Sequence, residues 1–336
     1  MPTTSLPTNM KGVIIERTGG VEVLQYKTDL PVPACKEGEV LIKNDYVGVN
    51  FRDINFRSGL YPAPKPYILG CEGEGTVVSI GFSDSTNMLQ LGDHVVWLNP
   101  SNGGYAEYSV CPISKVARIP RDLEPGVAVA CLSQGLTALT FIQKAYCVQE
   151  GEWILVQGAT GGVGSWLCRL LSLVGARVIG TVRTAKNARR ATGNGVKFAL
   201  DAKDNDVVAK VMEITSGEGV AAVFDGVGKA TFDQGLQALA RDGTMASYGN
   251  TSGNVTDFNI DRLRERNLRL MRPSVFGYVR TREEFVGFAE KLFEFMRSAE
   301  DHGMGEVERV IPLEEVKTAH DELEARKISG RLLLKI

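Results

Sequence analysis

The sequence predicts an α/β protein in which a doubly wound parallel sheet is inserted into a β-rich domain. Three observations predict it. The first part of the chain is a series of short β-branched runs. Near residue 130 the texture changes to apolar strands alternating with helical patterns. The tail then returns to strand, helix and strand. At 336 residues the chain is too long for one ordinary core, so two domains are expected. The boundaries read as 1–129 for the first part of the β-rich domain, 130–277 for the insert and 278–336 for the return segment.

The elements follow in order. MKGVIIE, EVLIKNDYVGV, GTVVSIG and DHVVWL are strand-like runs punctuated by Gly, Pro and Asp, and SNGGYAEYSV adds a turn and another strand. GLTALTFIQKAY has a helical pattern. EWILVQG, ARVIGTVR, VKFALD, VAAVFDGVG and TMASYGN then read as strands. Between and around them SWLCRLLSLVG, AKNARRATGNG, DVVAKVMEITSG and ATFDQGLQALARDG read as helices. Such alternation argues for a parallel sheet covered on both faces. RLRERNLRLMRPSVFGY reads as a short helix and a last strand, and TREEFVGFAEKLFEFMRSA as a long amphipathic helix. ERVIPLEEVKTAHDELEARKISGRLLLKI closes the chain as strand, helix, strand.

Composition narrows the function. Hydrophobic residues make up 43% and charged residues 23%, with a formal net charge of −2. A general nucleic-acid or membrane-surface binder needs a basic surplus that is missing, so neither partner is expected. No apolar run approaches the ~18 residues of a membrane span. The six cysteines (Cys35, Cys71, Cys111, Cys131, Cys147, Cys168) form no C-x-x-C pair. The opening MPTTSLPTN lacks the apolar core of a secretory signal. These features predict reduced thiols in a cytoplasmic protein.

The motif with the most chemical content is Gly158-Ala159-Thr160-Gly161-Gly162-Val163-Gly164, placed between strand WILVQ and helix SWLCRLLSLVG. Glycines there let a backbone approach a pyrophosphate resting on the helix N-terminus. A tight strand-to-helix turn is the simpler alternative, and the complete strand–loop–helix–strand context weighs against it. About twenty residues on, a chain that binds NAD places an acid for the ribose 2′-hydroxyl. Here Gly180-Thr181-Val182-Arg183 offers none, and Arg183, Lys186, Arg189 and Arg190 follow. A solvated helix face is the ordinary fate of such a charge run. Loss of the acid together with arrival of cations favours a 2′-phosphate, hence NADPH, with Arg183 and Lys186 as its contacts.

A second motif, Tyr67-Ile68-Leu69-Gly70-Cys71-Glu72-Gly73-Glu74-Gly75, sets a thiol beside a carboxylate in a glycine-rich turn. Both groups ligate zinc. A catalytic zinc takes three protein ligands and a water, and Cys71 with Glu72 does not supply three. The three histidines, His94, His302 and His320, have no metal spacing. His94 and His320 read as solvent-facing or packing residues.

With these stretches in hand, the chain resembles the medium-chain dehydrogenase/reductase superfamily, and within it the zeta-crystallin-like NADPH:quinone oxidoreductases. The resemblance runs from Met10 to Ile336. It is carried by VGVNFRDINFRSGLYPAP, the ATGGVG loop, SYGNTSG and RPSVFGYVRTREE. It implies a GroES-like catalytic domain built on a partly open barrel, a Rossmann domain inserted into it, and the cofactor in the cleft. It places Asn50 and Asp53 of an N-x-x-D element near the nicotinamide and Tyr61 beside cofactor and substrate. It assigns Thr137 to the cleft, and Gly161, Gly162, Val163 and Gly164 to the pyrophosphate. Lys186 falls at the 2′-phosphate, Asn250, Phe276 and Gly277 on the nicotinamide side, and Arg331 within reach of the cofactor phosphates. Zinc-dependent relatives put a cysteine, a histidine and a second cysteine around the metal. Here Asn50 stands at the first position and Cys71 at the histidine position, and the third falls at or near Gln134, which implies no metal. Gln134 and Leu200-Asp201 also depart from the pattern of the nearer relatives, at the substrate end and at the adenine.

Without a metal to polarise an alcohol, the substrate is expected to be electrophilic already. The first expectation is a quinone taking hydride from NADPH. The alternative is an activated C=C bond of an enone, alkenal or 2-enoyl compound, with Tyr61 as proton donor or as a packing surface. A crystallin-like or RNA-binding role on the same fold is a third reading. The resemblance also implies a homodimer in which the last Rossmann strand pairs with its twin; that strand is LMRPSVFGY here, an apolar edge that would be hazardous if left bare.

Overall fold

The strand-forming runs of the first third of the chain and the strand–helix–strand tail gather into one unit, and the residues between them into another. The structure, a computed structural model, describes residues 6–81, 89–101, 103–204, 206–298, 306–325, 328 and 330–336. Met1–Ser133 and Val279–Ile336 form the first compact unit and Gln134–Tyr278 the second. His302 lies outside the described residues.

The first unit opens with β1 (Asn9–Ile15), β2 (Gln25–Pro31) and β3 (Glu39–Gly48), followed by α1 (Phe51–Ser58) and β4 (Tyr67–Ile68). Then come β5 (Glu72–Ile80), β6 (His94–Leu98), β7 (Tyr108–Pro112) and β8 (Val116–Arg118). Helix α2 (Val127–Thr140) contains the division between the units and ends in a π-helical turn, Phe141–Ala145.

Within the second unit the chain forms β9 (Trp153–Gln157), α3 (Gly162–Leu173), β10 (Arg177–Val182), α4 (Ala185–Gly193) and β11 (Val196–Asp201). It continues through α5 (Val207–Ile214), β12 (Val220–Asp225), α6 (Phe232–Ala238), β13 (Leu239–Ser247), β14 (Arg269–Met271) and α7 (Val275–Tyr278). The return to the first unit supplies α8 (Arg282–Ser298), β15 (Val307–Pro312), α9 (Val316–Glu324) and β16 (Arg331–Lys335).

The sheet of the second unit has the order β11-β10-β9-β12-β13-β14, with every pairing parallel. Its strands are continuous apolar runs, as two-sided burial requires: Ile154, Leu155 and Val156 are fully buried, as are Ala222, Val223 and Phe224. Strand order reverses beside β9, because β10 lies on one flank and β12 on the other. In open α/β sheets that reversal is where ligands bind, outside the carboxyl ends of the strands.

The return strand completes the first unit. β16 pairs antiparallel with β3 (Leu333 opposite Gly48, Leu334 opposite Val47), and β15 pairs parallel with β16. Leu332, Leu333 and Leu334 are buried, and Leu332 and Leu334 share one core with Val13, Ile15, Val47, Phe56, Leu69 and Tyr105. Burying each such leucine contributes roughly 1.5–3 kcal/mol. This is why the two ends of the chain close on each other across the insert.

Three elements differ from the sequence expectation. ATFDQGLQALARDG is not one helix: α6 stops at Ala238, and Leu239 begins β13 opposite Val220. Burial of Leu239 in the sheet core overrides the helical pattern. LMRPSVFGY is not one strand. β14 ends at Met271, before Pro273, which has no N–H for a ladder, and Val275–Tyr278 turns helical. Finally, NFRDINFRSG forms α1, a helix the strand-rich reading of this region passed over. Its start is marked by Asp53, whose carboxylate accepts the Asn50 backbone N–H at 2.8 Å. Its end is marked by Gly59 in the left-handed region.

Candidate functional site

The first unit gathers its polar side chains around the start of α1. Asn50 caps that helix in extended conformation, and its amide nitrogen donates to Glu72 Oε1 at 2.7 Å. The other Glu72 oxygen accepts the Ser133 backbone N–H at 2.8 Å. Arg331, on β16, closes the group. Its guanidinium ion-pairs with Glu72 and donates to Asn50 Oδ1 at 3.0 Å and to the Val49 carbonyl at 2.9 Å. Glu72 is 0% exposed and Arg331 4%. Gly48 lies directly beneath the pair, where any Cβ would overlap both charged groups.

This geometry corrects one expectation. Arg331 does not present its charge to a phosphate; its guanidinium turns inward and is held by a carboxylate, an amide oxygen and a backbone carbonyl. A buried glutamate demands such a counter-ion, and that demand decides the orientation.

Asp53 is fully buried one turn into α1. It accepts from the Asn50 N–H, from Gly70 N–H at 3.2 Å and from the Tyr105 hydroxyl at 3.1 Å. Burial pushes its carboxyl up to about 6, against the pull of those donors and of Arg52. It is thereby a positioning group enclosed in protein. Tyr61 follows α1 with its backbone N–H donating to the Asn55 carbonyl at 3.0 Å. Its half-buried ring meets Phe56 edge-on, centroids 5.5 Å apart.

The residues at the zinc-ligand positions do not fit a metal. Asn50 directs its amide nitrogen, a donor, toward Glu72 and Cys71, the thiol lying 3.8 Å away. Burial, with Asp53 and Glu72 nearby, pushes the Cys71 thiol well above its usual range, so thiolate formation is opposed. Glu72 already carries a guanidinium. Gln134 packs its side chain against Gly162. Among the described residues no group of three or more His, Cys, Asp or Glu is arranged to hold a metal ion.

In the second unit the glycine loop occupies the switch point beside β9. The first amides of α3 have no side-chain cap, and Gly161 and Gly162 are exposed. Gly164 is buried against the Gly158 carbonyl, which any Cβ would strike. Exposed, uncapped amides at a twelve-residue helix N-terminus fit a pyrophosphate. Val163 sits half-buried in the first turn. Below the loop, Thr181 donates to Gln157 Oε1 at 2.8 Å and accepts the Gly158 N–H at 3.0 Å, tying β9 to β10.

β10 ends at Val182. Exposed Arg183 follows it, and exposed Lys186 lies in the first turn of α4, whose cap Thr184 accepts from Asn187 N–H at 3.2 Å. Asp201, paired with Val182, turns its carboxylate back to the Lys203 N–H at 2.9 Å. Thr137 is half-buried on α2. Asn250 follows β13 and donates to Asn254 at 2.8 Å. Phe276 and Gly277 fall on the helical turn α7 rather than on a strand.

Sequence reasoning missed the Arg331–Glu72 pair and the polar layer of Gln157, Thr181 and Asp225. Asp225 is buried at the end of β12, where it accepts from Val227 N–H (2.7 Å) and the Thr231 hydroxyl (2.9 Å). The only local signal was a polar residue at or next to the end of each of three apolar strands.

A β-rich unit with a capped polar centre and a parallel-sheet unit with a glycine loop define a two-domain dehydrogenase. Residues 36–121 match the alcohol dehydrogenase GroES-like domain, and residues 162–294 the zinc-binding dehydrogenase domain. The chain is 38% identical to a probable quinone oxidoreductase of Schizosaccharomyces pombe, covering 96% of each. A solved structure of Escherichia coli quinone oxidoreductase complexed with NADPH superposes with a TM-score of 0.90 at 34% identity, over 97% of this chain and 100% of that one. A 2-haloacrylate reductase of Burkholderia is 29% identical over 96% of this chain and 97% of its own length. The chain belongs to the quinone oxidoreductases of the medium-chain dehydrogenase/reductase superfamily.

Proposed function

We propose that the protein reduces quinones with hydride from NADPH and uses no metal. The observation that carries this reading is the commitment of Glu72. Its two oxygens are taken by Arg331, Asn50 and Ser133, so the carboxylate beside Cys71 is held as a structural anion and not as a ligand or base. With no polarising group there, the acceptor has to be electrophilic by itself, as a quinone is. The near full-length similarity to quinone oxidoreductases, one of them solved with NADPH, supports the same acceptor and cofactor.

When bound, NADPH supplies hydride from its nicotinamide ring. The chain's own residues do the rest. Gly161, Gly162, Val163 and Gly164 take the pyrophosphate on the N-terminus of α3, and Arg183 and Lys186 take the 2′-phosphate. Asn50, Thr137, Asn250, Phe276 and Gly277 shape the nicotinamide side, and Tyr61 packs against the acceptor. The insert is the cofactor-binding domain, and the outer unit holds the polar centre. A quinone oxygen draws its protons from solvent or a nearby hydroxyl.

The second reading is reduction of an activated C=C bond, favoured by the similarity to 2-haloacrylate reductase. In that reaction Tyr61 would deliver the proton to carbon. The oligomer we propose is a homodimer formed at β14, which among the described residues pairs on one side only, with β13. The compartment we propose is the cytoplasm, consistent with reduced thiols; no helix among the described residues is long and apolar enough to cross a membrane.

Three measurements test this reading. A charge-assisted phosphate contact is worth roughly 1.5–3 kcal/mol, so Lys186→Ala or Arg183→Ala should weaken NADPH binding about 10- to 150-fold and leave NADH unchanged. Equal wild-type affinity for both cofactors contradicts the assignment. Tyr61→Phe should retain quinone turnover within about threefold; if it instead abolishes turnover of both quinones and enals, Tyr61 is a general proton donor. Sedimentation at micromolar concentration should give twice the chain mass, and a monomer removes the β14 dimer.

A further inference from the structure

The first unit contains a second chain of buried polar groups that the reading above does not use. Arg57, near the end of α1, has its Nη2 bonded to both oxygens of Glu324 at 2.8 and 2.9 Å, and its Nε to the Gly19 carbonyl at 3.3 Å. Its Nη1 lies 3.1 Å from Nδ1 of His320 on α9. Nε2 of His320 lies 3.1 Å from the Tyr105 hydroxyl, which is in turn 3.1 Å from Asp53 Oδ2. His320, Tyr105 and Asp53 are each 0% exposed and Arg57 2%, while the Glu324 side chain reaches solvent at 39%.

The direction of every bond in this chain is fixed. A guanidinium has only donors, so Nδ1 of His320 accepts from Arg57 and the ring proton sits on Nε2. Nε2–H donates to the Tyr105 oxygen, and the Tyr105 hydroxyl hydrogen points to Asp53. Asp53 accepts the Asn50 N–H and so sets the extended cap from which the Asn50 side chain reaches Glu72 and Arg331. Burial and the adjacent Arg57 hold His320 down near 3, so it keeps this neutral tautomer at physiological pH.

We propose that His320, through Tyr105 and Asp53, is a remote positioning residue for Asn50, and that Arg57–His320–Tyr105–Asp53 is a one-way hydrogen-bond relay. It ties the return segment of the chain to the polar centre. The proposal rests on the quinone-reductase reading for its effect on turnover and on the geometry alone for the relay itself.

The relay makes the site sensitive to acid. Once Asp53 is protonated, one oxygen becomes a donor and the Asn50 cap loses its anionic acceptor. Arg52 on its own helix, Tyr67 on β4, Cys71 on the adjoining turn, the Glu72–Arg331 pair beyond Cys71 and Tyr105 from the loop before β7 are the charged or titratable groups around it, with His320 of α9 and then Arg57 reached through Tyr105. Of these, Tyr105 supplies the side-chain hydrogen bond that lowers the Asp53 carboxyl, opposing burial.

The test combines two readouts on the full-length protein. Tyr105→Phe keeps the ring and removes the hydroxyl. His320→Gln retains one acceptor and one donor, and His320→Leu retains neither. The acid limb of kcat for NADPH-driven quinone reduction, expected near pH 6 in the wild type, should move up by about one unit in Tyr105→Phe and His320→Leu. At pH 7 that shift should lower kcat about twofold, and about fivefold at pH 6, with KM for NADPH unchanged, and His320→Gln should recover most of both. The Asp53 carboxyl titration, followed by carbon NMR, should move in parallel. Variants that melt earlier but keep the wild-type acid limb and Asp53 titration overturn the relay. If the protein reduces no quinone but the Asp53 titration still moves up in Tyr105→Phe and His320→Leu and recovers in His320→Gln, the functional reading falls and the relay stands.

Discussion

Burial of the Glu72 carboxylate is the constraint on which the polar centre depends. An ionised glutamate with no exposed surface is tolerable only with a counter-ion and filled lone pairs. Arg331 supplies the charge, while Asn50 and Ser133 supply the remaining donors. Because those partners come from β16, the cap of α1 and α2, one desolvated carboxylate joins segments from both ends of the chain. The bare position at Gly48 leaves room for it. Asn50 is oriented by the same network, since its amide nitrogen faces Glu72 and its amide oxygen faces Arg331. The turn that would hold a metal in a zinc-dependent relative is here an internally neutralised structural joint.

A similar logic governs the second unit, with backbone in place of side chains. The reversal of strand order beside β9 opens the crevice, and uncapped amides at the start of α3 make it attractive to an anion. Gly164 is required for packing and Gly161 and Gly162 for access, so the glycines of one loop do different work. Beyond β10, Arg183 and Lys186 are exposed cations, where the proposed reading places the 2′-phosphate. The protein's chemistry is therefore one of placement: a cofactor that carries the hydride, and a protein that orients it and excludes competing groups.

Much of this was legible in the sequence because it is written locally. The alternating strands and helices of the insert, the glycine loop and the missing acid before Arg183 each depend on neighbours within a few residues. The Asn50–Asp53 spacing was equally local, yet α1 was passed over amid strand-like runs. What could not be read is what tertiary contact decides. Arg331 and Glu72 are separated by 259 positions and Arg57 and His320 by 263, and no periodicity links either pair. The same cause sent Arg331 inward when a phosphate contact was expected, and made His320 a buried hydrogen-bonded link instead of a packing residue. α6 stops short of its helical pattern because burial of Leu239 outweighs that pattern, and Pro273 cuts the last strand short.

A double-mutant cycle on Glu72 and Arg331, read by denaturant unfolding at neutral pH, tests the central claim most directly. Arg331→Met leaves a buried carboxylate without its counter-ion and should cost about 3–5 kcal/mol. Combining it with Glu72→Gln removes the orphaned charge and should restore most of that loss. Strictly additive effects, or an Arg331→Met cost below about 1 kcal/mol, the range of a surface ion pair, would contradict the account.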